Sequence, residues 1–520
     1  MHFPANGQGP TSRPPWSVAL LILGVTVLRL LLAATAPLLP QEAYYWTWSR
    51  ELDWSYFDHP PLASYGIALS TALFGQTVFG IKAAAVLWSL GWNLLWARLI
   101  LDMYADRRLA FWSLAALNLT VAYEGFGIGP TPDGPLLFAW TGAIWAVWRL
   151  SQTRQARWWF VAGAFVGLSW LGKYAGVLLL PIVLLYLVSS PAQRHWLLRP
   201  APYLAILLAV AVFTPVLYWN AQRDWVSLAF QSSRRIEGMG GFQPRYFLML
   251  LATQFLILTP YLAVLVVAAL FRGARDWRAG RLGDRERLLL LSAAVPIVFF
   301  TLVSFRSIVK INWLIPAYWS LIILAVREML ARADGLKRLG RGLASSAALL
   351  LVAAVALAIP NLPIPGDMNS WSGWREAARR VDQLAASIRA EGREAFVFSP
   401  NYKISSLLRF HLPGQPRTYA QDIYGAKALQ YDYFPLAGSM AGATGILVTS
   451  DQSQGEVDLE RVRHYFDSVE LADTVEVMIL GKVTRRVQIY RCTGYKGHPP
   501  RRSPDSPATP SGNAAPDGAH

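Results

Sequence analysis

The stretch QEAYYWTWSRELDWSYFDHPPL, residues 41–62, directly follows an apolar run over residues 16–39, and the two together decide the fold. A membrane span needs about 20 apolar residues, and the run meets that length. No small-residue cleavage site follows it, so it is expected to stay in the protein as a span. The segment after it holds Glu42, Asp53, Asp58, His59 and seven aromatic residues. Ionisable groups at membrane depth are costly unless they bind or react with something. The segment is therefore expected to begin an active site at the membrane surface.

Composition points the same way. With 54% hydrophobic residues, 15% charged residues and a mean hydropathy of +0.31 over 520 residues, too little polar surface exists for one large soluble domain. The expected class is a polytopic α-helical membrane protein. The excess of 48 Lys+Arg over 32 Asp+Glu, a net charge of +16, would suggest nucleic acid in a soluble chain. Here the basic residues cluster between apolar runs, the pattern of cytoplasmic loops, and no nucleic-acid partner is expected. Cys492 is the single cysteine, which excludes an intramolecular disulfide and a cysteine-built metal site.

Positive residues mark the cytoplasmic side. A full span near 81–101 is followed by Arg107 and Arg108, so it ends inside and the first span ends outside. The apolar stretch 62–79 then cannot cross as well, and is expected to lie along the outer surface or re-enter. The same rule places further spans near 109–128, 134–150, 158–172, 175–189, 203–219, 246–271, 288–304, 313–331 and 343–361. The total is about eleven transmembrane helices, with residues 1–15 a cytoplasmic tail and everything after Pro360 outside. No internal repeat is evident, which weakens a transporter built from inverted halves.

Residues 360–365, PNLPIP, read as a linker between this membrane domain (16–361, with its outer loop 40–80) and a small C-terminal α/β extracytoplasmic domain over 366–492. There, 371–391 has helical periodicity, 395–398 and 445–449 are short β-rich runs, and 475–490 can form a hairpin. From about Tyr495 to residue 520, Pro, Ser, Gly and Arg dominate and a disordered tail is expected.

Collecting the outward ends of the spans brings unusual polar residues to one side: Glu42, Asp58 and His59; Tyr123, Glu124 and Asp133; Lys173 and Tyr174; Gln231, Arg234 and Arg235; Arg306, Lys310 and Asn312. Carboxylates and cations on one face suit transfer from an anionic lipid phosphate. A carboxylate can take the proton of an acceptor hydroxyl, while Lys and Arg, with or without a divalent metal ion, offset charge on the leaving phosphate. Bland readings stand beside this one. Arg50, Arg223 and Arg245 can be loop cations snorkelling to headgroups. Asp133 opens a span and can complement its positive N-terminus. His59, before two prolines and with no partner histidine nearby in sequence, can be structural. Lys173 interrupts a continuous apolar stretch, which favours function.

Six motifs then carry a resemblance: EAYYW (42–46), YFDHPPL (56–62), TPDGPLLF (131–138), GKY (172–174), FQSSRR (230–235) and INWLIPAY (311–318). The chain resembles the bacterial branch of the protein O-mannosyltransferase superfamily, the group that includes the lipid A aminoarabinose transferase and the lipopolysaccharide galacturonosyltransferases. Residues 400–402 and 410–414 extend the likeness more loosely into the outer domain. The resemblance implies a C-type glycosyltransferase fold, a polyprenyl-phosphate-linked sugar donor, an acceptor hydroxyl on a lipid, glycan or protein, and inversion at the sugar, all at the outer face of the cell inner membrane. It also implies an Asp-Glu pair in the first outer loop whose aspartate is the base. Here that pair reads Gln41-Glu42, and an amide is no base at neutral pH.

Glu42 is therefore the expected base, with Asp58 or Asp133 next and loss of activity last. Asp58 falls at the family's candidate metal-ligand position and His59 at the neighbouring cationic one. Lys173, Arg234 and Arg235 are expected to contact phosphate. Tyr174, Gln231 and Asn312 complete the donor site, and Asp133 positions sugar or acceptor. The competing readings are a transporter or flippase of a lipid-linked or anionic solute, and a catalytically inactive member kept in view by Gln41.

Overall fold

The computed structural model describes residues 16–232, 241–360, 370–435, 440–451, 457–479 and 481–497. Helix α1 (Ser17–Thr35) ends at Ala36, whose extended backbone is what a residue before proline adopts. Helix α2 (Pro40–Ser49) opens on a proline, and the Glu42 side chain reaches back to accept from the Leu39 N–H at 2.9 Å. Helix α3 (Leu62–Phe74) has 13 residues, about 20 Å, against about 30 Å of hydrocarbon. It stops at Gly75, φ 81°, and Gln76 beyond it accepts from Trp46 Nε1 at 2.8 Å. The chain thus returns to α2 before α4 (Val78–Tyr104) begins under a Thr77 cap.

The stretch read from sequence as one span at 109–128 is two helices, α5 (Arg107–Asn118) and α6 (Val121–Ile128). The Thr120 hydroxyl accepts from the Tyr123 N–H and starts a new helix in mid-stretch. Next come α7 (Asp133–Thr153), α8 (Arg157–Gly172), a 3₁₀ turn Tyr174–Leu178, α9 (Leu179–Ser189), α10 (Pro200–Ala221) and α11 (Val226–Gln231). The expected span 246–271 is likewise broken. Helices α12 (Pro244–Leu258) and α13 (Pro260–Arg278) meet at 115°. Pro260 cannot continue a helix from behind and bars Thr259 from helical geometry; Thr259 sits at φ 68°. Helices α14 (Asp284–Ser304), α15 (Ile315–Leu330) and α16 (Gly335–Ala358) follow.

Among the described residues, α1, α4, α10, α14 and α16 are long and apolar enough to cross a membrane, and the bent α12–α13 pair can make a sixth crossing. Helix α7 is buried along nearly its whole length and forms the centre of the bundle. Leu23 and Leu31 of α1, Leu207 of α10, Leu248 and Leu256 of α12, and Leu351 and Val352 of α16 all lie exposed. Helices bearing this much outward apolar surface are built for a lipid surround.

After residue 370 come α17 (Trp374–Ala390), β1 (Ala395–Phe398), α18 (Tyr402–His411), 3₁₀ turns at Gln421–Tyr424 and Leu429–Tyr433, β2 (Thr444–Ser450), α19 (Leu459–His464), β3 (Ser468–Ile479) and β4 (Lys482–Thr493). The sheet order is β1-β2-β4-β3, with β1 parallel to β2 and the other pairs antiparallel. Trp374, Ala377, Ala378, Val381, Ala385 and Ile388 give α17 its buried stripe.

This region has one apolar cluster of its own, around Phe396, Phe398, Leu447, Phe466 and Cys492. A second cluster is shared: Trp374, Val381, Tyr402, Leu407 and Tyr431 pack with Tyr44, Trp46, Trp48 and Tyr56 of the segment after α1. The C-terminal α/β region is therefore packed onto that segment. Tyr495, expected to open a disordered tail, is instead 1% exposed and donates its hydroxyl to the Ile423 carbonyl. The tails 1–15 and 498–520 and the linker 361–369 lie outside the described residues.

Candidate active site

The loop 50–61 is pinned from several sides. Asp53 accepts from Trp219 Nε1 at 2.7 Å and from Arg223 at 3.2 Å, both at the end of α10. Ser227 Oγ of α11 donates to the Phe57 carbonyl at 2.8 Å, and Gln231 Nε2 donates to the Asp58 carbonyl at 2.8 Å. The Phe57 N–H donates to Gln430 Oε1 of the C-terminal region at 2.7 Å. The backbone that carries the Asp58 carboxylate is thereby held in place.

Asp58 Oδ2 accepts from the Tyr44 hydroxyl at 2.6 Å. Burial pushes its carboxyl up to about 6, with the Tyr44 hydrogen bond and the Lys310 charge pulling the other way. The Tyr44 phenol is raised well above its usual range by burial and by the Asp58 charge, so it stays protonated and remains a donor. His59 lies with its ring 6.3 Å from that of Tyr45.

A second cluster forms at the start of α7. Lys173 Nζ donates to Asp133 Oδ1 at 2.8 Å, and Asn312 Nδ2 donates to Asp133 Oδ2 at 2.8 Å. The approach of α8 to α7 requires Gly172, because a Cβ there would lie 2.9 Å from the Leu136 backbone nitrogen. Tyr174, next in the chain, shares a 2.6 Å hydrogen bond with Ser227. The Tyr45 phenol lies within electrostatic reach of both Asp58 and Asp133 and bonds the Gln41 amide. Asp58, Asp133, Lys173, Tyr174, Gln231 and Asn312 therefore belong to one constellation. Arg234 and Arg235 lie outside the described residues.

Glu42 is used differently from the expectation of a free base. Lys82 Nζ of α4 donates to both its carboxylate oxygens, at 2.6 and 2.7 Å, while Oε2 also caps Leu39. Both partners are 2% exposed. Both carboxylate oxygens are thus already committed to donors of the protein. As for a divalent ion at Asp58, no three His, Cys, Asp or Glu side chains converge among the described residues. One carboxylate beside a lysine lacks the several hard donors such an ion takes, so the donor set at Asp58 does not fit one.

Residues 58–219 match the sequence profile of the dolichyl-phosphate-mannose-protein mannosyltransferase family. The lipid A galacturonosyltransferase RgtD of Rhizobium johnstonii is 26% identical over 442 residues, 82% of this chain and 90% of that protein. The undecaprenyl phosphate-alpha-4-amino-4-deoxy-L-arabinose arabinosyl transferase of Pseudomonas savastanoi pv. phaseolicola is 31% identical over 167 residues, 31% of each chain. This chain is similar in sequence to members of the bacterial branch of the protein O-mannosyltransferase superfamily. It shares the fold of ArnT from Cupriavidus metallidurans, whose crystal structure bound to undecaprenyl phosphate matches with a TM-score of 0.59 and 15% identity, over 92% of this chain and 98% of that one. The apo form gives the same TM-score over 91% and 97%.

Sequence reasoning missed Lys82, Arg29 and Gln430. Arg29 of α1 donates to Glu124 at 2.7 and 3.1 Å and to Asn118 at 2.9 Å, closing α1 onto α5 and α6. Both Lys82 and Arg29 are charges inside apolar stretches, the same signal that singled out Lys173. Gln430 sends no such signal.

Proposed function

We propose that the chain is a multi-pass inner-membrane glycosyltransferase that moves a sugar from a polyprenyl-phosphate donor to a hydroxyl of a lipid acceptor at the outer face. The observation that carries this reading is the convergence of Asp58, Asp133, Lys173 and Asn312. It occurs in a chain whose relative over 82% of its length is a lipid A galacturonosyltransferase. The ArnT fold, known with undecaprenyl phosphate bound, supports the donor class. Alternating basic loops support about eleven crossings, with the short and broken helices supplying those beyond the long ones, a cytoplasmic N-terminus and an outer C-terminal α/β region.

In the reaction, the acceptor oxygen attacks the anomeric carbon opposite the phosphate, and the bond from that carbon to the phosphate oxygen breaks with inversion. The bonding pair leaves with the polyprenyl phosphate. The hydroxyl proton passes to Asp58, whose carboxyl, at about 6, is mostly ionised at neutral pH yet more basic than an ordinary aspartate. Glu42 is assigned to the scaffold. Asp133, held by Lys173 and Asn312, orients hydroxyl groups through its remaining lone pairs. Lys173, His59, Lys310, Arg234 and Arg235 offset charge on the phosphate.

The test is incubation of purified protein with radiolabelled polyprenyl-phosphate sugars, uronic acid, aminopentose and hexose among them, and lipid A. Label entering lipid A supports the reading. Donor binding with translocation across vesicles and no transfer would move it to a flippase.

A further inference from the structure

We propose that Gln430, in the C-terminal region, is a positioning residue of the transfer site, orienting Asp58 through Tyr44 and Phe57. The proposal rests on the reading of Asp58 as base. Gln430 is 1% exposed and is used twice. Its side-chain Oε1 accepts from the Phe57 N–H at 2.7 Å, and its own N–H donates to the Tyr44 hydroxyl oxygen at 3.0 Å. Because that oxygen already accepts from Gln430, the Tyr44 proton is directed to Asp58 Oδ2, at 2.6 Å. One carboxylate oxygen is thus capped by a neutral donor, which fixes the rotation of the carboxylate.

The turn that carries Gln430 is held at some cost. Leu429, just before it, adopts φ 52°, a left-handed conformation that a non-glycine residue keeps only where its surroundings enforce it. The Tyr431 ring stacks on Tyr44 at 6.3 Å and 7°, and the Tyr433 ring on Phe57 at 5.3 Å and 13°. Arg409 and Arg417 both pair with Glu51, at 2.9 and 2.5 Å. A lid that only covered the loop would need none of the Gln430 hydrogen bonds; the paired bonds to Phe57 and Tyr44 select one geometry for the base.

The experiment measures kcat, KM for donor and the pH profile of transfer for the full-length protein and for Gln430→Met, Gln430→Glu, Tyr44→Phe, the double variant Tyr44→Phe/Gln430→Met, and Asp58→Asn. Gln430→Met leaves the Phe57 N–H without its acceptor and loosens the turn. The expected result is a fall in kcat of about tenfold with donor KM little changed. The acidic limb should move to higher pH, because the Tyr44 donor no longer steadies the carboxylate. Tyr44→Phe should reproduce that shift, and the double variant should add little to either single one. Gln430→Glu, which still accepts from Phe57, should recover kcat above its own acidic limb. If Asp58→Asn transfers at the parent rate, the base reading fails. If Asp58→Asn is dead while Gln430→Met keeps the parent limb, with its rate unchanged or uniformly lowered, Gln430 is only structural and the proposal is overturned.

Discussion

Glu42 and Lys82 form an ion pair sealed from solvent, and its energetics separate a scaffold role from a catalytic one. Breaking such a pair from one side leaves an uncompensated buried charge, at a cost of about 3–5 kcal/mol. Glu42→Gln alone should therefore lower Tm and transfer together. Glu42→Gln/Lys82→Met, which removes both charges, should regain much of both. If the double variant regains Tm but stays inactive, Glu42 is the base after all. Asp58 gives the pH dependence. Its carboxyl is raised, so the proton is bound below about pH 6 and transfer should fall about tenfold per unit beneath that point. A raised carboxyl also means that stability is fully present below the unfolded value of 3.8 and is lost as pH rises through 6. Asp58→Asn should accordingly abolish transfer yet melt higher than the parent at pH 8, an advantage that shrinks toward pH 4 and is read by a pH series of melting curves.

Among the elements, the bend between α12 and α13 shows where periodicity stops being informative. Both halves are apolar helices, so the stretch 246–271 reads as a single span, but Thr259 at φ 68° turns the chain. Its hydroxyl shares a 2.6 Å hydrogen bond with Ser346 of α16. In a Ser346→Ala background that bond is gone, and Thr259→Gly then weighs the backbone strain against the packing of the threonine side chain. It should raise stability by about 1 kcal/mol, since glycine relieves the strain at a smaller entropic cost; a fall would mean that the threonine packing outweighs the strain. Helix α17 is the contrasting case. Its stripe from Trp374 to Ile388 keeps a helical period throughout, and the structure follows it. Pro260 was visible in the sequence, but whether a proline bends a span or merely opens a helix depends on what receives the turned chain.

Over the whole molecule, the cluster shared between residues 44–56 and the C-terminal region makes the two parts interdependent. Residues 370–497 expressed alone would uncover Trp374, Tyr402, Leu407 and Tyr431, and should bind a hydrophobic dye or self-associate although the Phe396–Phe466 cluster remains intact. A chain ended at residue 360 should reach the membrane and fail to transfer. A monomeric, dye-silent fragment would show that the shared cluster is dispensable to folding. The membrane class, the short third helix and the residues EAYYW, YFDHPP and TPDGP were legible in the linear sequence, because run lengths, charge spacing and motifs are local properties. So was the need of Lys173 for a partner, since a charge in an apolar run requires one. Which partner was not legible. Glu42 pairs with Lys82 across 40 residues, Arg29 with Glu124 across 95, Asp133 with Asn312 across 179, and Tyr44 with Gln430 across 386. Several carboxylates and amides could have met each need equally well on composition alone. Only the packing of the helices and the docking of the C-terminal region bring one of them within hydrogen-bond distance, and that choice commits Glu42 to Lys82 and sets Asp58, the proposed base, against Tyr44.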